Sequence, residues 1–216
     1  RIHIPHVSKR DELAAVINAK QDSDMRGMVT AGTCPHYLFL TDADTARLGW
    51  YGRMKPSLGT AADRDFLRQN IGYLDVVETD HAPHTLADKQ TAEQNNPGGE
   101  VGASKPTCFG VPGLEAMLPL LLRGEQEGWI SREQIIEKTS VNPAKILGLN
   151  LPPSEVHITN ENYIFSDRDV KSKCGWSPYV GMGVVGRIDK VVVNGVAKVL
   201  EGEIIAKRGE GSILRP

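Results

Sequence analysis

The sequence predicts an α/β fold: parallel strands with helices packed outside them, followed by a small antiparallel β segment. Three observations predict it. Short β-branched runs alternate with amphipathic stretches over the first 80 residues. Past residue 110 the pattern turns helical, with capping residues at each start. From about residue 154 the period changes to strict alternation, with an Asn-Gly pair at 194 and 195 between two such runs.

Residues 2 to 7 read as a strand ending at His6. Ser8 then reads as a helix N-cap, with Leu13, Ala14, Val16 and Ile17 at helical spacing behind it. Residues 28 to 33 read as a second strand and 73 to 79 as a third. Between them, Thr60 and Gly72 bracket a helix. Residues 86 to 110 are polar, rich in glycine and proline, and aperiodic, which predicts a long loop of the kind that covers active sites. A leucine-rich helix should open at Pro112, with a kink or restart at Pro119. Ser131 and Gln134 form a capping box, and Asn142, Pro143 and Gly148 should cap, begin and stop a further helix. The expected division is 1–153 for the strand-and-helix part and 154–216 for the β segment.

The chain has 216 residues and a net charge of -2 with no basic block, so it carries no electrostatic footprint for nucleic acid. Its longest apolar stretch, AMLPLLL, is too short to span a membrane. Three widely spaced cysteines, Cys34, Cys108 and Cys174, argue against a disulfide framework and for a reducing, cytoplasmic setting. The chain opens directly on the strand-like RIHIPHVS, as a piece of a longer protein would.

The chemistry-bearing residues gather at the predicted strand ends. His6, His36 and Asp80 sit at or just past them, and the DHAPH turn adds His81 and His84. In a barrel of parallel strands that is where active sites are built. Histidines and a carboxylate converging from separate strands suit a zinc hydrolytic site. On pattern alone, a lone histidine near a strand end is more often structural than a ligand, and an Asx-turn at Asp80 is as good a reading as a catalytic one. Cys34 reads as a small buried residue, and Lys55 as a surface charge.

TDHAPHT, followed by FGVPGLEAMLPLLL, resembles dihydroorotase of the amidohydrolase superfamily, in the type fused into animal pyrimidine-synthesis polyproteins. IHIPHVS resembles that family's sixth-strand segment, TCPHYLFL its seventh, RMKPSLG the loop that follows, and KCGWSPYVGMGVVGRIDKVVVNGVAKV its closing β segment. The resemblance implies the C-terminal portion, about strands six to eight, of a TIM-type barrel. By the same resemblance, His6 and Asp80 are zinc ligands and Asp80 also shuttles the catalytic proton. His84 holds the substrate carboxylate, and the main chain at Pro112 and Gly113 meets the ring. Lys55 stands where the animal-type enzymes carry an arginine whose main chain faces the substrate. His36 matches a histidine that is not usually a ligand.

The implied reaction is the reversible, zinc-dependent cyclisation of N-carbamoyl-L-aspartate to dihydroorotate. Two zinc ions are expected in the complete protein, and a homodimer. The family's HxH pair, carboxylated lysine and fifth-strand histidine lie before the sixth strand, so an N-terminal half or companion chain must supply them. Gly32 departs from the pattern, since the animal-type enzymes carry a glutamate there. Allantoinase or hydantoinase activity, and an inactive scaffolding domain, are the rival readings.

Overall fold

The structure is a computed structural model that describes residues 1–97 and 108–214. The elements run β1 (Ile2–Ile4), α1 (Arg10–Gln21), β2 (Val29–Thr33), α2 (Pro35–Phe39), α3 (Asp42–Leu48), α4 (Ala61–Gln69) and β3 (Val76–Val77). They continue with α5 (Leu86–Asn95), α6 (Met117–Gln126), α7 (Arg132–Ile136) and α8 (Asn142–Leu147). Six strands close the chain: β4 (Ser154–Ile158), β5 (Asn162–Ile164), β6 (Gly183–Val185), β7 (Ile188–Val193), β8 (Val196–Leu200) and β9 (Glu203–Ile204).

β1, β2 and β3 form a parallel sheet in that order. The ladder runs past the short strands: Val7 N donates to Gly32 O at 2.7 Å and Glu78 N to Thr33 O at 2.9 Å. Parallel neighbours need a crossover between them, and α1 and α4 fill that role. Leu13 and Val16 of α1 and Leu67 of α4 are buried in one apolar cluster. The same cluster takes Ala31, Val77, Leu120, Leu121 and Leu122, together with Phe165, Trp176 and Tyr179 from the later β-rich part. β1 has β2 as its only strand partner among the described residues. Ile2 stays 61% exposed on that edge, where a continuing barrel would cover it.

The floor of the sheet is tied by polar bonds. Asp75 accepts from Ala31 N at 2.7 Å and from Lys20 Nζ at 2.5 Å. The buried Lys138 ammonium donates to Leu74 O, and the Asn142 amide to Asp75 O. In barrels of this kind the N-terminal face carries stability and the C-terminal face carries chemistry.

β4, β7, β8 and β9 form an antiparallel sheet, and β5 pairs with β6. The Asn194-Gly195 turn joins β7 to β8 with φ of 51° and 75°, the type I′ geometry its sequence predicts.

Several boundaries differ from the sequence reading. Residues 86–95 are helical, not loop. Thr85 caps them by accepting from Asp88 N, while Asp88 accepts the Thr85 hydroxyl at 2.6 Å. Ala92 and the aliphatic stem of Lys89 turn inward from that helix. Residues 98–107 of the expected loop lie outside the described residues. The leucine-rich helix opens at Met117, because the amides of Gly113 and Leu114 are turned onto His81. Pro119 therefore falls in the first turn, where no intrahelical donor is lost and no kink follows. Lys9, not Ser8, is the N-cap of α1, and Ser8 instead bonds the Glu12 carboxylate. Asn142 is not the N-cap expected of it: the helix runs into it through a π turn, and its side chain serves Asp75. Gly148 ends α8 in the left-handed conformation, as expected.

Candidate active site

The C-terminal mouths of β1, β2 and β3 bring the chemistry-bearing residues together. Each chain segment turns sharply there. His6, past β1, has φ of 43°, and Asp80, past β3, has φ of 44°. The other described non-glycine residues with positive φ, Asn194 and Glu201, sit in β-turns. Left-handed backbone at a non-glycine residue costs about 1–3 kcal/mol and persists where the surroundings enforce it. At His6 the enforcing contact is visible: its amide donates to Glu78 Oε1 at 2.6 Å.

Glu78 reaches across the sheet into the space above Gly32. A Cβ on Gly32 would sit 2.7 Å from Glu78 Oε1, so the glycine makes room for the carboxylate. Gly32 is the position where the resemblance places a glutamate, and here a neighbouring strand brings the carboxylate instead.

Past β2, the chain enters α2 with Cys34 at its N-cap and His36 in its first turn. Both are buried. Among the described residues, the buried side-chain atoms without a hydrogen-bond partner are both ring nitrogens of His36 and the hydroxyl of Tyr179. Tyr37 stacks edge-on against the His36 ring, 4.2 Å between centroids, and fixes its plane. Burial, then the nearby His6, lowers the His36 pKa to about 3, so the ring is neutral at physiological pH. Burial, then the Glu78 and Asp80 carboxylates, holds the Cys34 thiol far above its ordinary range. Potential ligand atoms of Cys34, His36 and Asp80 all lie within 4.8 Å of one another. Among the described residues this is the group of three or more that can converge on a metal ion, and it does not include His6. A nitrogen, a sulfur and an oxygen donor at this spacing fit zinc.

The DHAPH turn is held from below. His81 bridges to Val111, and its Nδ1 accepts from Gly113 N at 3.2 Å. That leaves the ring proton on Nε2, facing Ser172 Oγ at 3.5 Å. Ser172 in turn donates to Glu115, at the foot of α6. Gly110, at φ 107°, packs against Ala82 so closely that a Cβ there would lie 2.4 Å from the Ala82 Cβ. His84 is half-buried, with Nε2 3.2 Å from Phe109 O, and its own carbonyl accepts from Trp176 Nε1. Pro112 and Gly113 are buried at the turn that His81 holds. Lys55 is exposed, with its ammonium 4.3 Å from the Phe109 ring centre.

His84 and Lys55 thus meet on Phe109, while His81 links the Asp80 turn to Gly113. Sequence reasoning gathered His36 and His81 with the strand-end residues but gave them no role in the site, and it did not single out Glu78 or Cys34.

No protein-family model matches the chain. Many curated relatives align with nearly all of it, two of them as follows. "Multifunctional protein pyr1-3" of Dictyostelium discoideum is 36% identical over 219 residues, covering 99% of this chain and 9% of that protein. The dihydroorotase of Pyrococcus furiosus is 34% identical over 218 residues, covering 96% of this chain and 47% of the enzyme. The chain is related to the dihydroorotases along nearly its whole length. It spans about half the length of the stand-alone dihydroorotase it matches. Among solved structures, the L-hydantoinase (dihydropyrimidinase) of Arthrobacter aurescens superposes with a TM-score of 0.77 at 25% identity, over 100% of this chain and 48% of that one. The fold is therefore part of an amidohydrolase-type barrel. No helix among the described residues is long and apolar enough to cross a membrane.

Proposed function

We propose that this chain supplies the C-terminal half of a dihydroorotase active site, about strands six to eight of the barrel. The observation that carries the reading is the pair of left-handed residues, His6 and Asp80, held at the mouths of β1 and β3, on either side of β2, in a chain related to dihydroorotases. Strained backbone at two chemistry-bearing residues points to a site they were placed to serve.

In this reading His6 and Asp80 are zinc ligands, and two ions are bound in the complete protein. The metal would supply a water acidic enough to lose its proton near pH 7. Asp80 is exposed at the mouth, so its carboxylate can take that proton and return it to the departing ring nitrogen. Microscopic reversibility makes the same carboxylate collect the proton from the carbamoyl nitrogen during ring closure. His84 can turn its ring N–H from the Phe109 carbonyl to the carboxylate of dihydroorotate, and Lys55, over the Phe109 ring, adds positive charge. The Pro112–Gly113 backbone lies against the dihydropyrimidine ring, and His81 keeps it in place.

The HxH pair, carboxylated lysine and remaining histidine come from an N-terminal half or a companion chain, which also covers the free edge of β1. Residues 1–153 form the barrel part and 154–216 the β segment. The assembled protein is a cytoplasmic homodimer. The test is a spectrophotometric assay of the complete enzyme on dihydroorotate, allantoin and hydantoin. Dihydroorotate should be consumed. Turnover of allantoin or hydantoin without dihydroorotate would overturn the substrate assignment.

A further inference from the structure

We propose that Cys34, His36 and Asp80 form a metal site of their own, holding one zinc-class divalent ion with no ligand from outside this chain. The inference does not depend on the dihydroorotase reading, although both use Asp80.

Three observations converge on it. The first is proximity: the ligand atoms of the three residues lie within 4.8 Å of one another. Ligands of a tetrahedral zinc ion, at roughly 2.0–2.3 Å from the metal, stand about 3.3–3.8 Å apart, so small side-chain rotations close the group. The second is the unpaired His36. A neutral imidazole carries one donor and one acceptor, and burial without a partner for either is costly. The ring is 1% exposed, and neither nitrogen has a partner. A metal ion takes the lone pair of one nitrogen and removes half of that deficit. The third is the Tyr179 hydroxyl, which is fully buried, also unpartnered, and belongs to the same buried cluster as Cys34. A metal-bound thiolate at Cys34 is an acceptor for that hydroxyl, as outer-shell groups commonly are to zinc-bound sulfur.

Cys34, His36 and Asp80 thus supply sulfur, nitrogen and oxygen, a mixture that selects zinc-class ions over magnesium or calcium. Because Asp80 is exposed while Cys34 and His36 are buried, the ion enters from the Asp80 side and leaves one coordination position toward the mouth. Binding deprotonates the Cys34 thiol and releases that proton to solvent, with no change of oxidation state.

The test uses cobalt(II) as a spectroscopic stand-in for zinc, added to the full chain in chelator-treated buffer. Thiolate ligation gives a near-ultraviolet sulfur-to-cobalt charge-transfer band, with tetrahedral ligand-field bands in the visible. The expected result is about one cobalt per chain, bleached by zinc. Cys34→Ser should abolish the charge-transfer band, and Cys108→Ser and Cys174→Ser should keep it. His36→Gln should weaken cobalt binding at least about tenfold while the far-ultraviolet circular dichroism stays native. Should Cys34→Ser not fold, Cys34→Ala serves the same purpose. A charge-transfer band that survives loss of Cys34, or no cobalt bound to a natively folded chain, overturns the inference. Dihydroorotate turnover that persists in a Cys34→Ser enzyme lacking the band leaves the proposed function standing, so the two claims fail separately.

Discussion

Removing the Glu78 carboxylate should release both His6 and Gly32, and the two effects should be coupled. Glu78 Oε1 accepts the His6 amide at 2.6 Å and occupies the volume where a Cβ on Gly32 would lie. A hydrogen bond to a charged group contributes about 1.5–3 kcal/mol. The Glu78 side chain is 28% exposed, and water partly replaces the bond, so about 1–2 kcal/mol is expected for Glu78→Ala. Gly32→Ala alone should cost a similar amount, because its methyl group displaces the carboxylate and breaks the same bond. In the Glu78→Ala background that clash is gone, and Gly32→Ala should be neutral or stabilising by up to about 0.5 kcal/mol. The double variant should thus be about 1–2 kcal/mol more stable than additivity predicts. Urea unfolding followed by tryptophan fluorescence of the four proteins measures the cycle directly. Additivity within about 0.5 kcal/mol would show that the carboxylate does not bridge the two positions.

Gly110→Ala should destabilise by about 2–4 kcal/mol, since its Cβ would lie 2.4 Å from the Ala82 Cβ and its φ is 107°; Ala82→Gly should recover part of this in thermal unfolding. Lys89 is buried, and burial lowers its pKa from 10.5 to about 8. The folded state therefore binds fewer protons than the unfolded state between about pH 8 and 10.5, so stability contributed at this site rises with pH through that window, by at most about 1.4 kcal/mol per unit. The difference in unfolding free energy between the wild type and Lys89→Met should carry this slope, and a flat difference would refute it. Thr85→Ala removes the cap of α5 and should cost about 1 kcal/mol by chemical denaturation, with hydrogen exchange rising in residues 86–95.

Much of this architecture is legible in the sequence where one residue type has one physical use. Asn194-Gly195 specifies its turn because both positions need positive φ. Thr60, Ser131 and Gly148 mark helix ends by satisfying backbone groups that no other partner reaches. α5 escaped notice because its exposed face is polar and its inward face is short, with Lys89 standing where an apolar residue would announce a helix. Its signal was the Thr85–Asp88 capping box. The grouping of Cys34 with His36 and Asp80 escaped notice for a different reason. Cys34 and His36 are two residues apart in sequence and meet Asp80 only because β2 and β3 are parallel neighbours. A cysteine and a histidine just past a strand end, as in CPH, are the available clue. Glu78 shows the same dependence on register. Gly32 pairs with Val76, and Glu78 lies two residues further on the same face, so only the pairing reveals why position 32 is empty.

Asp80→Asn tests the central claim most directly. Dihydroorotate turnover is measured in the complete enzyme, this chain together with its N-terminal half, with circular dichroism as the check on folding. The substitution keeps the size of the side chain and its tolerance of left-handed backbone, and removes the proton acceptor. A natively folded variant should lose at least about a hundredfold in turnover, the scale of a positioned general base. Turnover within a few-fold of the wild type would contradict the assignment of Asp80 and, with it, the reading of the strand mouths as a dihydroorotase site.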